Sequence, residues 1–247
     1  MSIGGPEDLE GLIEVGRVVR ACLDAMRLEA RPGVTTAHLN RVGAAVLEKR
    51  GARSAPMLVY DFPAENCISV NDEIVHGIPS RRKLRAGDLL KLDVTAEKNG
   101  YMADAAITVP VGERHRAAAR ADGVRRARVQ AAMAVLRPGR RANEIGRVIE
   151  DEVHRAGFVV VRELSGHGIG RTIHEPPTIP NYDDPAATDV LTRGMVITVE
   201  PLIAMGNGRS FEASDGWTIR TQDGSDAAHY EQTLVVMDDG PLLLTAA

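Results

Sequence analysis

Six residues of the 247-residue sequence combine a titratable side chain with a setting in which burial is expensive: Asp93, Asp104, His167, His174, Glu200 and Glu231. Asp93 follows Leu89-Leu90-Lys91-Leu92 and precedes Val94-Thr95, an alternation that marks a strand with Leu90, Leu92 and Val94 on its apolar face. A carboxylate there is stable as an anion only where a cation or several donors meet it. Asp104 lies eleven residues on, at the start of a second strand pattern, and the Asn99-Gly100 pair between the two predicts a hairpin. Such a hairpin would set Asp93 and Asp104 facing each other on adjacent strands. Glu200 closes the apolar run Val196-Ile197-Thr198-Val199, and Glu231 stands in His229-Tyr230-Glu231-Gln232-Thr233-Leu234.

The two histidines sit in Gly166-His167-Gly168-Ile169-Gly170 and His174-Glu175-Pro176-Pro177, where the density of glycine and proline rules out helix. Any one of the six read alone is an ordinary solvated strand-end acid or turn histidine. Together, four strand acids need positive charge, no run of basic residues stands beside them, and imidazole joins the set. A metal is the simplest counter-charge. Carboxylate and imidazole ligands suit Mn, Fe(II), Co or Zn. About five of them suffice for two divalent ions sharing bridging carboxylates, a pair that activates water and polarises a carbonyl together.

The elements that must position these residues repeat. Apolar positions Leu9, Ile13, Val15, Val18, Val19, Cys22 and Met26 predict a helix from Pro6 to about Met26. Arg31-Pro32-Gly33 breaks it, Thr35 or Thr36 can cap the next, and Leu39, Val42, Val46 and Leu47 mark a second helix that ends at Gly51. The same grammar returns: a helical pattern from Val124 to Leu136, the break Arg137-Pro138-Gly139, then Ile145, Val148, Ile149 and Val153 before Gly157. Gly87 to Asp93 matches Gly194 to Glu200, each a glycine, an apolar strand and a carboxylate. A two-copy repeat without a Pro/Gly/Ser-rich linker predicts one α+β domain over residues 1–247, its halves at about 6–110 and 117–240 related by a pseudo-two-fold, with carboxylates meeting near the axis.

Composition excludes several classes. Hydrophobic residues at 44% and charged residues at 26% fit a globular chain rather than a disordered or fibrous one. With 34 acidic against 30 basic residues the formal charge is -4, which gives nucleic acid no attraction. Two cysteines, Cys22 and Cys67, support no disulfide framework and indicate a reducing compartment. No basic start, leader-like run or membrane-length apolar span is present, so a cytoplasmic location away from membranes is expected.

With these residues in place the sequence resembles the methionine aminopeptidases over nearly its whole length, and specifically their type I class. The resemblance implies the pita-bread (creatinase/aminopeptidase) fold, an antiparallel sheet covered by two helix pairs. It also implies a ligand set read in chain order as Asp93, Asp104, His167, Glu200 and Glu231. On that pattern Asp93 chelates one ion, Asp104 and Glu231 bridge both, and His167 with Glu200 completes the other. Glu200 is also the general base for the attacking water. The stretch from Ser69 to Pro79 looks like the family's substrate-contacting loop and places His76 near the scissile peptide. His174 matches the histidine that stabilises the tetrahedral intermediate. Phe62, Cys67 and Trp217 match the family's methionine side-chain pocket, although the only tryptophan would serve a core equally well.

The implied activity is removal of N-terminal methionine before a small second residue. The implied partners are the N-termini of peptides and nascent proteins, met by a monomer near the ribosome. The sequence departs from the family at Ala103-Asp104-Ala105, at Pro56 and Val59, and at His229 and Gln232, which stand where glutamine and histidine are usual. Strand alternation puts His229 on the side of Glu231, as a donor to that bridging carboxylate. Alternatives are an Xaa-Pro or other aminopeptidase on the same fold, whose members normally carry a further N-terminal domain, and a non-catalytic binding paralogue.

Overall fold

In the computed structural model, which describes residues 1–112 and 132–246, helix α1 (Pro6–Glu29) opens with proline followed by Glu7 and Asp8. Both features favour a helix start, through a preset φ and through the helix dipole. Helix α2 (Thr36–Lys49) is capped by Thr35, whose hydroxyl accepts from the His38 amide at 3.1 Å. In the second half, residues 132–135 are helical. The rest of the helix expected from Val124, and the repeat boundary at 117, lie outside the described residues. Helix α4 (Ala142–Arg155) has Glu144 accepting from the Arg141 amide at 3.1 Å. The short α3 (Ala55–Tyr60) directly follows the two-residue strand Arg53–Ser54.

The strands in chain order are β1 (Arg53–Ser54), β2 (Cys67–Val70), β3 (Glu73–Val75), β4 (Leu89–Lys98), β5 (Tyr101–Pro110), β6 (Val159–Val160), β7 (Gly166–Gly168) and β8 (Glu175–Ile179). They continue as β9 (Val196–Val199), β10 (Leu202–Ala204), β11 (Ser210–Glu212), β12 (Ile219–Thr221), β13 (Ala227–His229), β14 (Glu231–Val235) and β15 (Leu242–Leu243). A nine-stranded antiparallel sheet runs β1-β4-β5-β14-β9-β7-β8, with β2 also on β4 and β15 also on β14. Two three-stranded sheets, β13-β10-β6 and β11-β12-β3, stand beside it.

The two halves repeat their backbone hydrogen bonds as well as their sequence pattern. Gly33 N donates to Leu84 O and Gly87 N to Val111 O; Gly139 N donates to Leu191 O and Gly194 N to Val236 O. The isolated bridges Thr35 to Lys83 and Arg141 to Val190 correspond in the same way. Gly33 and Gly139 both have positive φ, at 89° and 85°, which explains glycine after each Arg-Pro. Asp93 and Glu200 therefore occupy corresponding places, one from each half.

Each central strand has a helix face and a second face. Leu90, Leu92, Val94, Ala96, Ala103, Ala105 and Ile107 pack on α1 and α2, while Ile197, Val199, Tyr230 and Leu234 pack with Ile145, Ile149 and Val153 of α4. Alternation sends Asp93, Thr95, Asp104, Thr198, Glu200, His229 and Glu231 to the opposite face. That face is also buried: from Leu89 to Glu97 every residue of β4 is covered.

A buried carboxylate cluster beside an aromatic pocket

The β4–β5 turn has Asn99 at φ 54° and Gly100 at φ 81°, the two-residue hairpin the sequence predicts. It pairs Lys98 with Tyr101, and so Thr95 with Asp104 and Asp93 with Ala106. The expected face-to-face placement of Asp93 and Asp104 is corrected to a diagonal one on the same face. Thr95 Oγ1 donates to Asp104 Oδ2 at 2.8 Å. Glu231, opposite Ala106 on the other neighbour of β5, joins the same level, and Glu200 follows directly after β9.

His167 lies on β7 between two glycines that lack room for a side chain; a Cβ on Gly166 would stand 2.6 Å from Thr198 O. The His167 amide donates to Thr198 Oγ1 at 3.1 Å, and Nδ1 lies 2.9 Å from Gly168 O. A carbonyl only accepts, so Nδ1 carries the hydrogen and Nε2 keeps its lone pair. That lone pair faces Glu200 Oε2 at 3.6 Å and Glu231 Oε1 at 4.0 Å. His229 Nε2 stands 3.7 Å from Glu231 Oε2.

The electrostatics of this cluster call for positive charge. Burial, then repulsion by Asp104 and Glu200, pushes the Asp93 carboxyl well above its ordinary range, and burial does the same to Glu231, reinforced by Asp104 and Glu200. Burial raises Asp104 to about 6 and Glu200 to about 8. Burial also depresses His167 to about 4, with His174 adding to it. Asp104 Oδ1, Glu231 Oε1 and both ring nitrogens of His229 are buried without hydrogen-bond partners. Anions crowded around bare carboxylate lone pairs fit divalent cations, which would meet Asp104 Oδ1 and Glu231 Oε1 at once. Ligand atoms of Asp104, His167 and Glu231 lie within 4.8 Å of one another, as do those of Glu200, His229 and Glu231. Glu231 belongs to both groups. Asp93 belongs to neither and lines the same pocket.

Phe62, Cys67 and Trp217 line that pocket together with the acids, and the Phe62 and Trp217 rings meet edge to face with centroids 5.1 Å apart. His76, held at φ 57°, and His174 border both the pocket and an open groove that continues past Ser165, Pro176 and Thr178. Burial holds both histidines below their usual pKa, His76 at about 4. All eleven site residues expected from the sequence thus line one cavity.

Two residues were not foreseen. Tyr60, at the end of α3, hydrogen-bonds His174, and nothing in Leu58-Val59-Tyr60-Asp61 marks it as different from an exposed turn residue. Lys91 is wholly buried, its Nζ donating to Asn71 O at 2.6 Å, whereas strand alternation reads it as a solvated position.

The sequence profile of metallopeptidase family M24 matches residues 10–238. Among characterised sequences, methionine aminopeptidase 2 of Bacillus subtilis is 41% identical over 247 residues, covering 99% of each chain. The crystal structure of methionine aminopeptidase from Thermotoga maritima superposes with a TM-score of 0.95 at 34% identity over 100% of both chains. Prolidase from Pyrococcus furiosus, at 22% identity and TM-score 0.80, covers 99% of this chain with 65% of its own and shares the fold.

Proposed function

The chain belongs to metallopeptidase family M24 as a metal-dependent aminopeptidase of the methionine aminopeptidase kind, and from that membership we propose that it removes N-terminal methionine through a two-metal site. The observation that carries the two-ion reading is the pair of convergent ligand groups that share Glu231. Asp93, Asp104, His167, Glu200 and Glu231 would hold the ions. When bound, divalent ions supply the charge that polarises the scissile carbonyl and makes water acidic enough to attack at neutral pH.

The chain's own groups do the rest. Phe62, Cys67 and Trp217 surround the methionine side chain and exclude water from it. Glu200, at the border of pocket and groove, takes the proton of the attacking water. His76 and His174, neutral through burial, donate to the substrate backbone and to the oxygen on which charge develops. On the same reading the protein is one catalytic domain of two related halves. It works as a cytoplasmic monomer on peptide and nascent-chain N-termini near the ribosome. Among the described residues no helix is long and apolar enough to cross a membrane.

Release of methionine from Met-Ala-Ser, Met-Lys-Ser and Ala-Pro peptides, with Co, Mn, Fe(II) and Zn supplied in turn, tests this function. Rapid cleavage of Met-Ala-Ser alone is expected, because on this reading a small second side chain fits beside the scissile bond and a large one would overpack it. Comparable kcat/KM on Met-Ala and Met-Lys peptides rejects the small-residue specificity, and cleavage confined to Ala-Pro rejects methionine.

A further inference from the structure

Tyr60 Oη lies 2.5 Å from Nδ1 of His174, a residue 114 positions away in the chain. Their rings are 5.6 Å apart and tilted by 39°. Among the described residues neither side chain makes another hydrogen bond. The contact is built by α3. Ser54 caps that helix through the Met57 amide at 3.4 Å, and Asp61 ends it at φ 56°. Tyr60 is thereby turned over the mouth of the pocket, beside Pro56.

A neutral imidazole carries one N–H and one lone pair, and whatever meets one nitrogen decides the state of the other. His167 and His174 are neighbours, their ring centroids 4.2 Å apart. At His167 a carbonyl takes the Nδ1 hydrogen and leaves Nε2 bare toward the carboxylates. At His174 the partner of Nδ1 is a phenol, protonated at neutral pH and therefore able to donate. We propose that Tyr60 is a positioning residue whose O–H donates to His174 Nδ1, which places the hydrogen on Nε2 and fixes His174 as an N–H donor to the substrate. Two adjacent histidines are then held in opposite tautomers, one offering a lone pair to cations and one offering a hydrogen to the peptide. The inference rests on the reading of His174 as the donor to the reacting peptide.

The test compares Tyr60→Phe, His174→Ala and the double variant on Met-Ala-Ser, with metal content measured for each, and reads tautomers by long-range ¹⁵N–¹H correlation spectra of the zinc-loaded protein. Tyr60 is half exposed and its hydroxyl makes one hydrogen bond among the described residues, so the variant is expected to fold as the parent does. Tyr60→Phe is expected to lower kcat about tenfold, the size of one neutral hydrogen bond, with KM and bound metal unchanged. Its His174 resonances should change from a single Nε2–H form to a mixture. Added to His174→Ala, it should cost nothing further. Wild-type kcat in Tyr60→Phe, an unchanged tautomer, or an equal loss on top of His174→Ala overturns the role of Tyr60. Wild-type kcat in His174→Ala overturns the reading of His174 beneath it, a result the spectra of Tyr60→Phe would not produce.

Discussion

Thr95 Oγ1 holds Asp104 Oδ2 at 2.8 Å across the β4–β5 hairpin, and this commits one carboxylate oxygen to the protein while the other, buried, has no hydrogen-bond partner. At Glu231 the Oε1 oxygen is likewise buried without a hydrogen-bond partner. A neutral amide in either place keeps the shape and removes the charge that two cations would share. Asp104→Asn and Glu231→Gln are each expected to lower metal stoichiometry and turnover together, read by elemental analysis and peptide assay. Two tightly bound ions with full activity in either variant would sink the dinuclear site.

His174 stands outside both ligand groups, though its ring touches that of His167. A group that acts on the developing charge lowers kcat when lost and leaves the ions in place. His174→Ala is expected to cost about 10²-fold in kcat, the size seen for one such donor, at unchanged metal content. Loss of metal instead would make His174 a ligand.

Much of this was legible in the sequence because glycine, proline and apolar period carry it. Gly33, Gly51, Gly139 and Gly157 close the turns where the pattern put them, and the four acids stand in a strand or directly after one, as the apolar runs beside them indicate. What stayed hidden depends on register and on what covers a strand. The two-residue turn puts Lys98 opposite Tyr101, and that count alone makes Asp104 the partner of Thr95 and not of Asp93. Lys91 shares the face of Asp93, and alternation cannot tell a face wetted by solvent from one closed over a site. Burial drives the Lys91 ammonium down to about 7.

The raised carboxyls make the metal-free protein sensitive to pH. Glu200 has a folded pKa of about 8 against an ordinary 4.5, so the folded state holds its proton where the unfolded chain releases it. Its contribution is intact below about 4.5 and is lost as pH rises toward 8. Other groups titrate in the same window, and a neutral isostere isolates this one. After removal of metal by chelation, Glu200→Gln is expected to raise Tm relative to the unsubstituted protein at pH 8 and to leave it nearly unchanged at pH 5. An identical difference at both pH values would show that Glu200 carries no charge penalty in the fold.

The exchanged pair His229 and Gln232 separates by strand face. Gln232 points to the helix side, where its Oε1 accepts from Thr245 Oγ1 at 3.0 Å, on the face opposite Glu231. His229 turns to the cluster, with Nε2 3.7 Å from Glu231 Oε2 and neither ring nitrogen satisfied. Its backbone is pinned, since its amide and carbonyl both bond the Thr108 hydroxyl, at 2.9 and 2.8 Å. The fixed backbone thus holds the ring facing the Glu231 carboxylate. A histidine that donates to a ligand fixes its orientation and basicity, and losing such a partner weakens metal binding by about 10 to 100-fold. His229→Ala is expected to lose affinity on that scale in a metal titration followed by calorimetry, and Gln232→His is expected to bind as the parent does. Equal affinity in His229→Ala, or a large loss in Gln232→His, would place the wrong one of the two beside the ions.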